Sequence, residues 1–294
     1  MFLLVAFSVV TPCLLNYKTT VSASASVNAS PAINFALALS FKTSLAALAS
    51  ASSAFLASSV GNGRTGIGEG SFAGGTKAIG ELVAELKKES NMYDTNVEGT
   101  RNIVDALKSH DSKATLVFTS SISTYGDTSN EPDPISITQP QNPIDVYAES
   151  KIAGEKILIE SGVNFVILRI ASIAVPAFLE PPEPWPFTSA QRVEMVHRDD
   201  VADAIKSSVD TPEAVGNVFN IAGGLSWRLT GRDYVEDFFN FMGAPVDMAV
   251  YREETGWNDW YDTSESQKIL KYQNRSYDFY SGEMKSIVEE MMAE

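Results

Sequence analysis

The chain has 294 residues, 44% of them hydrophobic and 20% charged, with a net charge of -15; this leaves room for one large α/β domain or two smaller ones. The acidic balance excludes a nucleic-acid or anionic-membrane partner, because no basic surface is available to displace phosphate counterions. Cys13 is the single cysteine, and His110 and His197 are the two histidines, which excludes an internal disulfide and a cysteine metal cluster and leaves a zinc site short of ligands.

The first 68 residues differ in kind from the rest. No Asp or Glu precedes Glu69, and the bases there are Lys18, Lys42 and Arg64. Met1–Tyr17 is an apolar run that is short for a membrane span and is interrupted by Pro12. It lacks the basic residues that precede the apolar part of a secretory signal. The Ala- and Ser-rich stretch that follows has the acid-free composition of an organellar transit peptide but not its arginines. Residues 1–70 therefore read as a low-complexity leader or a misread start, poorly ordered. No stable membrane insertion is expected. The expected location is the cytoplasm, with organelle targeting or anchoring through the leader as the alternative.

Gly61-Asn-Gly63-Arg-Thr-Gly66 matches G-x-G-x-x-G literally, but no convincing strand precedes it. Phe72-Ala-Gly74-Gly-Thr-Lys77-Ala-Ile-Gly80 is the better phosphate cradle, because it opens the helical pattern from Glu81 to Lys88. Lys77 stands where the middle glycine of such a turn would be, and a plain flexible linker is the competing reading. Asn91–Lys108 carries apolar residues at helical spacing, Val97, Ile103, Val104 and Leu107. Ala114–Ser121 is a buried-type strand ending in hydroxyls, where open parallel sheets place their chemistry. Asp127–Asp145, with four prolines, reads as a loop.

The next helix begins Tyr147-Ala-Glu-Ser-Lys151-Ile-Ala-Gly-Glu-Lys156. Tyr147 and Lys151 are four apart and leave one face. An ammonium beside a phenol in a partly dry cleft favours phenolate, lowering the tyrosine from its usual value of about 10 towards useful acid–base chemistry. An exposed Tyr/Lys pair on an amphipathic helix is the commoner meaning of this spacing alone. A strand over Asn164–Ile170, a proline-rich irregular segment over Pro176–Pro186 and a strand over Arg192–His197 follow. Arg198-Asp-Asp200 is read as capping the helix from Val201, and His197 as a packed strand residue. Asn217–Ile221 reads as a strand, Gly231–Met242 as a helix with an aromatic face at Tyr234, Phe238, Phe239 and Phe241, and Met284–Met292 as a final helix. Strands alternating with helices indicate a doubly wound, mainly parallel sheet.

Five stretches in order resemble the extended short-chain dehydrogenase/reductase superfamily, in its NAD-dependent epimerase/dehydratase branch. They are Asn96-Val-Glu-Gly-Thr-Arg-Asn, Val117-Phe-Thr-Ser-Ser-Ile-Ser-Thr-Tyr-Gly126, Tyr147-Ala-Glu-Ser-Lys-Ile-Ala-Gly-Glu155, Val196-His-Arg-Asp-Asp-Val-Ala-Asp-Ala204 and Asn217-Val-Phe-Asn-Ile-Ala-Gly. The resemblance implies an α/β Rossmann-like sheet, a small C-terminal substrate lobe and an atypical N-terminal region. Residues 71–175 would be a partial dinucleotide-binding domain and residues 176–294 the remainder of the sheet with the lobe. It implies NAD or NADP as cofactor and hydride transfer to or from the carbinol of a sugar-like, possibly nucleotide-sugar, small-molecule substrate, with a homodimer as an allowed assembly. Tyr147 would be the catalytic acid/base, Lys151 its partner and the holder of the nicotinamide ribose, and Ser121 the hydroxyl bonded to the reacting group. Gly74, Gly80, Asn96 and Ser120 fall on the cofactor side, with Tyr147 and Lys151. Ser121, Ser123 and Arg192 fall on the substrate side, with Thr119 a neighbour able to share the work. The plain meaning of Ser121 is a strand-end hydroxyl satisfying backbone.

The pattern departs from the family at its start. Residues 1–68 hold neither an early glycine turn nor the carboxylate that reads the adenine ribose, and the interval from Gly80 to Asn96 is too short for the usual intervening strands and helices. The alternative function is a non-catalytic Rossmann-like remnant that has lost dinucleotide binding; a membrane-anchored binding protein using Met1–Tyr17 is a third.

Overall fold

The computed structural model describes residues 4–6, 89–177 and 181–293. Its main sheet is built on β2 (Thr115–Ser121), whose Leu116, Val117 and Phe118 are all buried. A continuous apolar run is what a strand covered on both faces requires. β3 (Asn164–Ile170) and β6 (Val218–Ile221) extend the sheet on one side, and β1 (Leu4–Ala6) lies on the other. The order is β1-β2-β3-β6, all parallel. Three residues of the apolar opening run thus pair with β2, Leu4 opposite Leu116 through Ala6 opposite Phe118. The edge that an absent first strand would leave open is paired over this length.

Alternate residues of β2 and β3 face opposite layers, as the two-residue period of a strand dictates. Leu116, Phe118 and Ile167 pack with Val104 of α1 (Glu89–Ser109) and Leu158 of α2 (Val146–Ser161). Val117, Val166 and Leu168 pack with Val201 and Ala204 of α3 (Arg198–Asp210) and Leu270 of α5 (Ser264–Leu270). Helices cover both faces, so the sheet is doubly wound as the alternation of elements implies.

A second sheet joins β4 (Ser172–Ala174) in parallel to β5 (Arg192–His197), and β5 antiparallel to β7 (Arg228–Thr230). It shares an aromatic core with α4 (Gly231–Met242) and α6 (Tyr277–Ala293), where Trp185, Phe187, Trp227, Tyr234, Phe238, Tyr277 and Tyr280 meet. The aromatic face expected on α4 is this contact, with Phe239 buried and Phe241 partly so.

Two local readings are corrected. The residue that caps α3 is His197, whose Nδ1 accepts the amide of Asp199 at 3.1 Å. Asp200 is instead buried inside the first turn and accepts from the amides of Asn274 and Arg275 and from Arg275 Nη1. His197 is packed, as expected, and its Nε2 pairs with Glu283 at 2.8 Å. The final helix starts at Tyr277, seven residues before the expected Met284, because Tyr277 and Tyr280 bury against Trp227 and extend the apolar face. Among the described residues no helix is long and apolar enough to cross a membrane.

Candidate active site

Helix α2 carries two of the expected residues, and its start is fixed locally. Asp145 takes an extended conformation and its carboxylate accepts the amide of Ala148 at 2.7 Å, an N-cap that sets the helical phase of Tyr147. The helix ends at Gly162, in the left-handed conformation that glycine adopts without penalty. Tyr147 and Lys151 both turn inward towards β2. Lys151 Nζ donates to the carbonyl of Thr119 at 2.7 Å and lies 5.6 Å from the centre of the Phe118 ring. Gly154 lets the helix approach that ring: a Cβ there would stand 2.6 Å from Phe118 Cζ.

Ser121, the last residue of β2, lies beside Tyr147, near enough for its hydroxyl to hold down the value of the phenol. Its Oγ also accepts the amide of Ser123 at 3.1 Å, capping the 3-10 turn Ile122–Tyr125, and the hydroxyl of Ser123 at 2.9 Å. The strand-end role and the site role therefore coexist in one hydroxyl. A serine hydroxyl has one proton and two lone pairs. With both lone pairs taken by Ser123, Ser121 is left with its proton to give, and Tyr147 is a neighbour whose ionised form it favours.

The electrostatics differ from the expectation. Burial raises the Tyr147 phenol well above its ordinary value, Ser121 opposes that rise, and the carboxylate of Asp145 adds to it. Lys151, over the ring face 5.2 Å from the centroid, does not offset the rise, because burial makes it neutral well below the pH at which the phenol ionises. Burial also pushes Lys151 itself down to about 7, against the pull of Glu155. Desolvation disfavours the charged form of each group, and here it outweighs their mutual attraction.

Asn96, on α1, reaches the same helix. Its Nδ2 donates to Ser150 Oγ at 2.8 Å, and that hydroxyl donates to the Tyr147 carbonyl at 2.7 Å. Among the described residues, Asn96 Oδ1 is buried with no hydrogen-bond partner. Ser120 points the other way and donates to Glu155 Oε1. Arg192 is held by Asp259, at 2.6 Å and 2.9 Å, and by Asp133 at 3.3 Å, with two further bonds to the carbonyls of Thr128 and Glu131. These partners lie outside the Tyr147–Ser121–Lys151 group. Gly74, Gly80 and Lys77 lie outside the described residues.

Sequence reasoning missed the buried polar chain that supports the site. Glu155, four residues after Lys151, accepts from Ser120, Gln141 and both Nε and Nη2 of Arg169. Arg169 Nη1 donates to Tyr125 Oη, which donates to Asn220 Oδ1 on β6. The signal was present: Arg169 is a charge inside an otherwise apolar strand, and such a charge demands a partner.

Residues 76–184 match the model of the NAD dependent epimerase/dehydratase family. The UDP-glucose 4-epimerase of Streptococcus mutans is 38% identical over 100 residues, which is 32% of this chain and 28% of the relative. An N-acetyl-alpha-D-glucosaminyl-diphospho-ditrans,octacis-undecaprenol 4-epimerase of Escherichia coli O157:H7 is 36% identical over 76 residues, 26% of this chain and 22% of the relative. The matched segment thus spans under a third of the length of these curated relatives. The fold is shared with the UDP-glucose 4-epimerase of Thermotoga maritima solved with UDP-glucose, at TM-score 0.58 and 17% identity over 71% of this chain and 74% of that one. It is shared equally with the dTDP-glucose 4,6-dehydratase of Bacillus anthracis solved with NAD, at TM-score 0.59 and 17% identity over 73% and 76%. Residues 76–184 thus resemble the NAD dependent epimerase/dehydratase family, and the chain has the Rossmann-like fold of its solved neighbours.

Proposed function

We propose that the chain is an NAD(P)-dependent epimerase, dehydratase or reductase that works on the carbinol of a sugar-like substrate, with Tyr147 as acid/base. The observation that carries this reading is that Tyr147 of α2 and the hydroxyl of Ser121 come together at the carboxyl end of β2, the edge at which open parallel sheets hold their ligands. The chemistry of the remaining donors fits a dinucleotide on its nicotinamide side. Among the described residues, Lys151 has one of its three ammonium protons engaged, by Thr119, and Asn96 Oδ1 is a buried acceptor with no partner. Lys151 and Tyr147 would hold the ribose hydroxyls beside the ring. The bound nicotinamide supplies the hydride acceptor and donor.

The protein's own part is proton management and alignment. Tyr147 exchanges the proton of the carbinol, and the Ser121 hydroxyl donates to whichever oxygen carries charge. As buried, Tyr147 holds its proton at neutral pH, so it is set as the acid for a carbonyl; charging Lys151, which is poised near 7, favours the tyrosinate that serves as the base. A positioned acid/base contributes roughly a hundredfold to ten-thousandfold to such a step. Residues 71–175 are read as the cofactor side and 176–294 as the rest of the sheet with the substrate lobe.

The test is ligand-linked stability. A dinucleotide at a hundred times its dissociation constant stabilises the native state by about 2.7 kcal/mol, which raises the melting temperature by several degrees. Such a rise with NAD or NADP is expected. A second reading, a scaffold that no longer binds dinucleotide, is favoured by the burial of Tyr147 and Lys151, at 6% and 1% exposure. It is the outcome if millimolar NAD and NADP both leave the melting temperature unchanged.

A further inference from the structure

We infer that Ser123 is a positioning residue, which acts by fixing the direction of the Ser121 proton. The inference rests on the reading of Tyr147 as acid/base, and it moves Ser123 from the substrate side to the support of Ser121. Ser123 is fully buried. Its amide and its hydroxyl both donate to one atom, Ser121 Oγ, at 3.1 and 2.9 Å. The two contacts come from a rigid piece of chain. The 3-10 turn Ile122–Tyr125 is closed by Gly126 N donating to Ser123 O at 3.1 Å, and Thr124 Oγ1 donates to Ser121 O at 2.8 Å. Gly126 has φ 69, and a Cβ there would overlap Asn142 O, so the close approach of the turn to Asn142 requires glycine.

A free serine hydroxyl rotates and can either give a proton to a neighbouring phenol or take one. The two cases have opposite effects. A donor to the phenol oxygen favours the ionised form, while an acceptor of the phenol proton holds the neutral form. By filling both lone pairs of Ser121, Ser123 leaves the first case alone. Removing the Ser123 hydroxyl frees one lone pair, and Ser121 becomes able to accept from Tyr147.

The test uses the full chain labelled with tyrosine carrying 13C at Cζ. The Tyr147 resonance is assigned by its disappearance in Tyr147→Phe. Ser123→Ala is expected to shift this resonance by more than its linewidth. Ser121→Ala is expected to shift it too, and the double variant is expected to match Ser121→Ala, because Ser123 then has nothing to act through. Ser123→Cys, with a weak donor in nearly the same volume, provides a second variant should the alanine fail to fold, and its resonance is expected to shift in the direction of the alanine. An unmoved Tyr147 resonance in the folded Ser123 variant overturns the inference. So does a double variant that differs from Ser121→Ala, which would mean that Ser123 acts through packing. Both readings are made without cofactor, so a failure of the chain to bind NAD is a separate result and bears on the function alone.

Discussion

The carboxylate of Glu155 meets the guanidinium of Arg169 in a two-point contact, 3.0 Å from Nε to Oε1 and 2.7 Å from Nη2 to Oε2, with both side chains almost wholly buried. The pair ties α2, one turn beyond Lys151, to β3. Breaking a buried pair strands one charge, at a cost of about 3–5 kcal/mol, whereas replacing both partners with apolar groups costs far less. Glu155→Gln is therefore expected to lower stability by about 3 kcal/mol, read as the midpoint of urea unfolding. Glu155→Leu combined with Arg169→Met is expected to lose less than Glu155→Gln does. A double variant less stable than the single would mean that the pair contributes more than it costs to bury.

Stability should depend on pH through two groups with opposite signs. Glu194 accepts from the amides of Gly224 and Tyr261 and from Arg228 Nε, yet burial pushes its carboxyl up to about 7 from 4.5. Between those values the unfolded chain has released this proton and the folded chain has kept it, so stability falls as pH rises through the window. At 1.36 kcal/mol per unit the size is about 3 kcal/mol. Glu194→Gln is expected to flatten that decline in urea titrations carried out at a series of pH values.

Lys151 acts in the other direction. Its folded value is about 7 against 10.5 when free, so above pH 7 the unfolded chain binds the extra proton and stability rises with pH. The rise is to be read below pH 10, before the unfolded tyrosines ionise. Lys151→Met is expected to remove it and to be more stable than wild type below pH 7, where the buried ammonium is fully charged. Equal pH slopes for wild type and Lys151→Met would contradict the depressed value.

Gly154→Ala sets two effects against each other. In a helix interior alanine gains about 1 kcal/mol over glycine, but its Cβ would stand 2.6 Å from the ring of Phe118. Phe118 is buried with Val104, Leu116, Leu158 and Ile167, so moving its ring disturbs that packing, and overpacking a filled core costs about 1–3 kcal/mol. The clash is expected to win, with a net loss of up to about 2 kcal/mol and a displaced Lys151. A more stable Gly154→Ala would show that α2 can lift from β2 freely.

Much of the fold was legible because its signals are local. Asn164–Ile170 and Arg192–His197 match their expected strands end to end, since β-branched and apolar runs bounded by turns carry their own limits. The placing of Tyr147 and Lys151 on one helix face was legible as well, from their spacing, as was the position of Ser121 at a strand end. What was not legible depends on distance through space. The depth of burial that raises Tyr147 and lowers Lys151 is set by how closely Gly154 lets α2 approach Phe118. The engagement of Arg192 needs Asp259, 67 residues away in sequence. The partner of β2 in the leading run, Leu4–Ala6, has no sequence signal beyond being apolar, and was read as part of the leader.

The proposed acid–base role of Tyr147 is to be measured on NAD-loaded protein with UDP-glucose, the ligand solved with the Thermotoga maritima neighbour, as the probe substrate, following its conversion to UDP-galactose by NMR in wild type and Tyr147→Phe. Removing one phenol oxygen is expected to slow conversion by about a hundredfold or more while the melting-temperature rise with NAD stays at the wild-type size. Conversion by Tyr147→Phe at the wild-type rate would contradict the assignment.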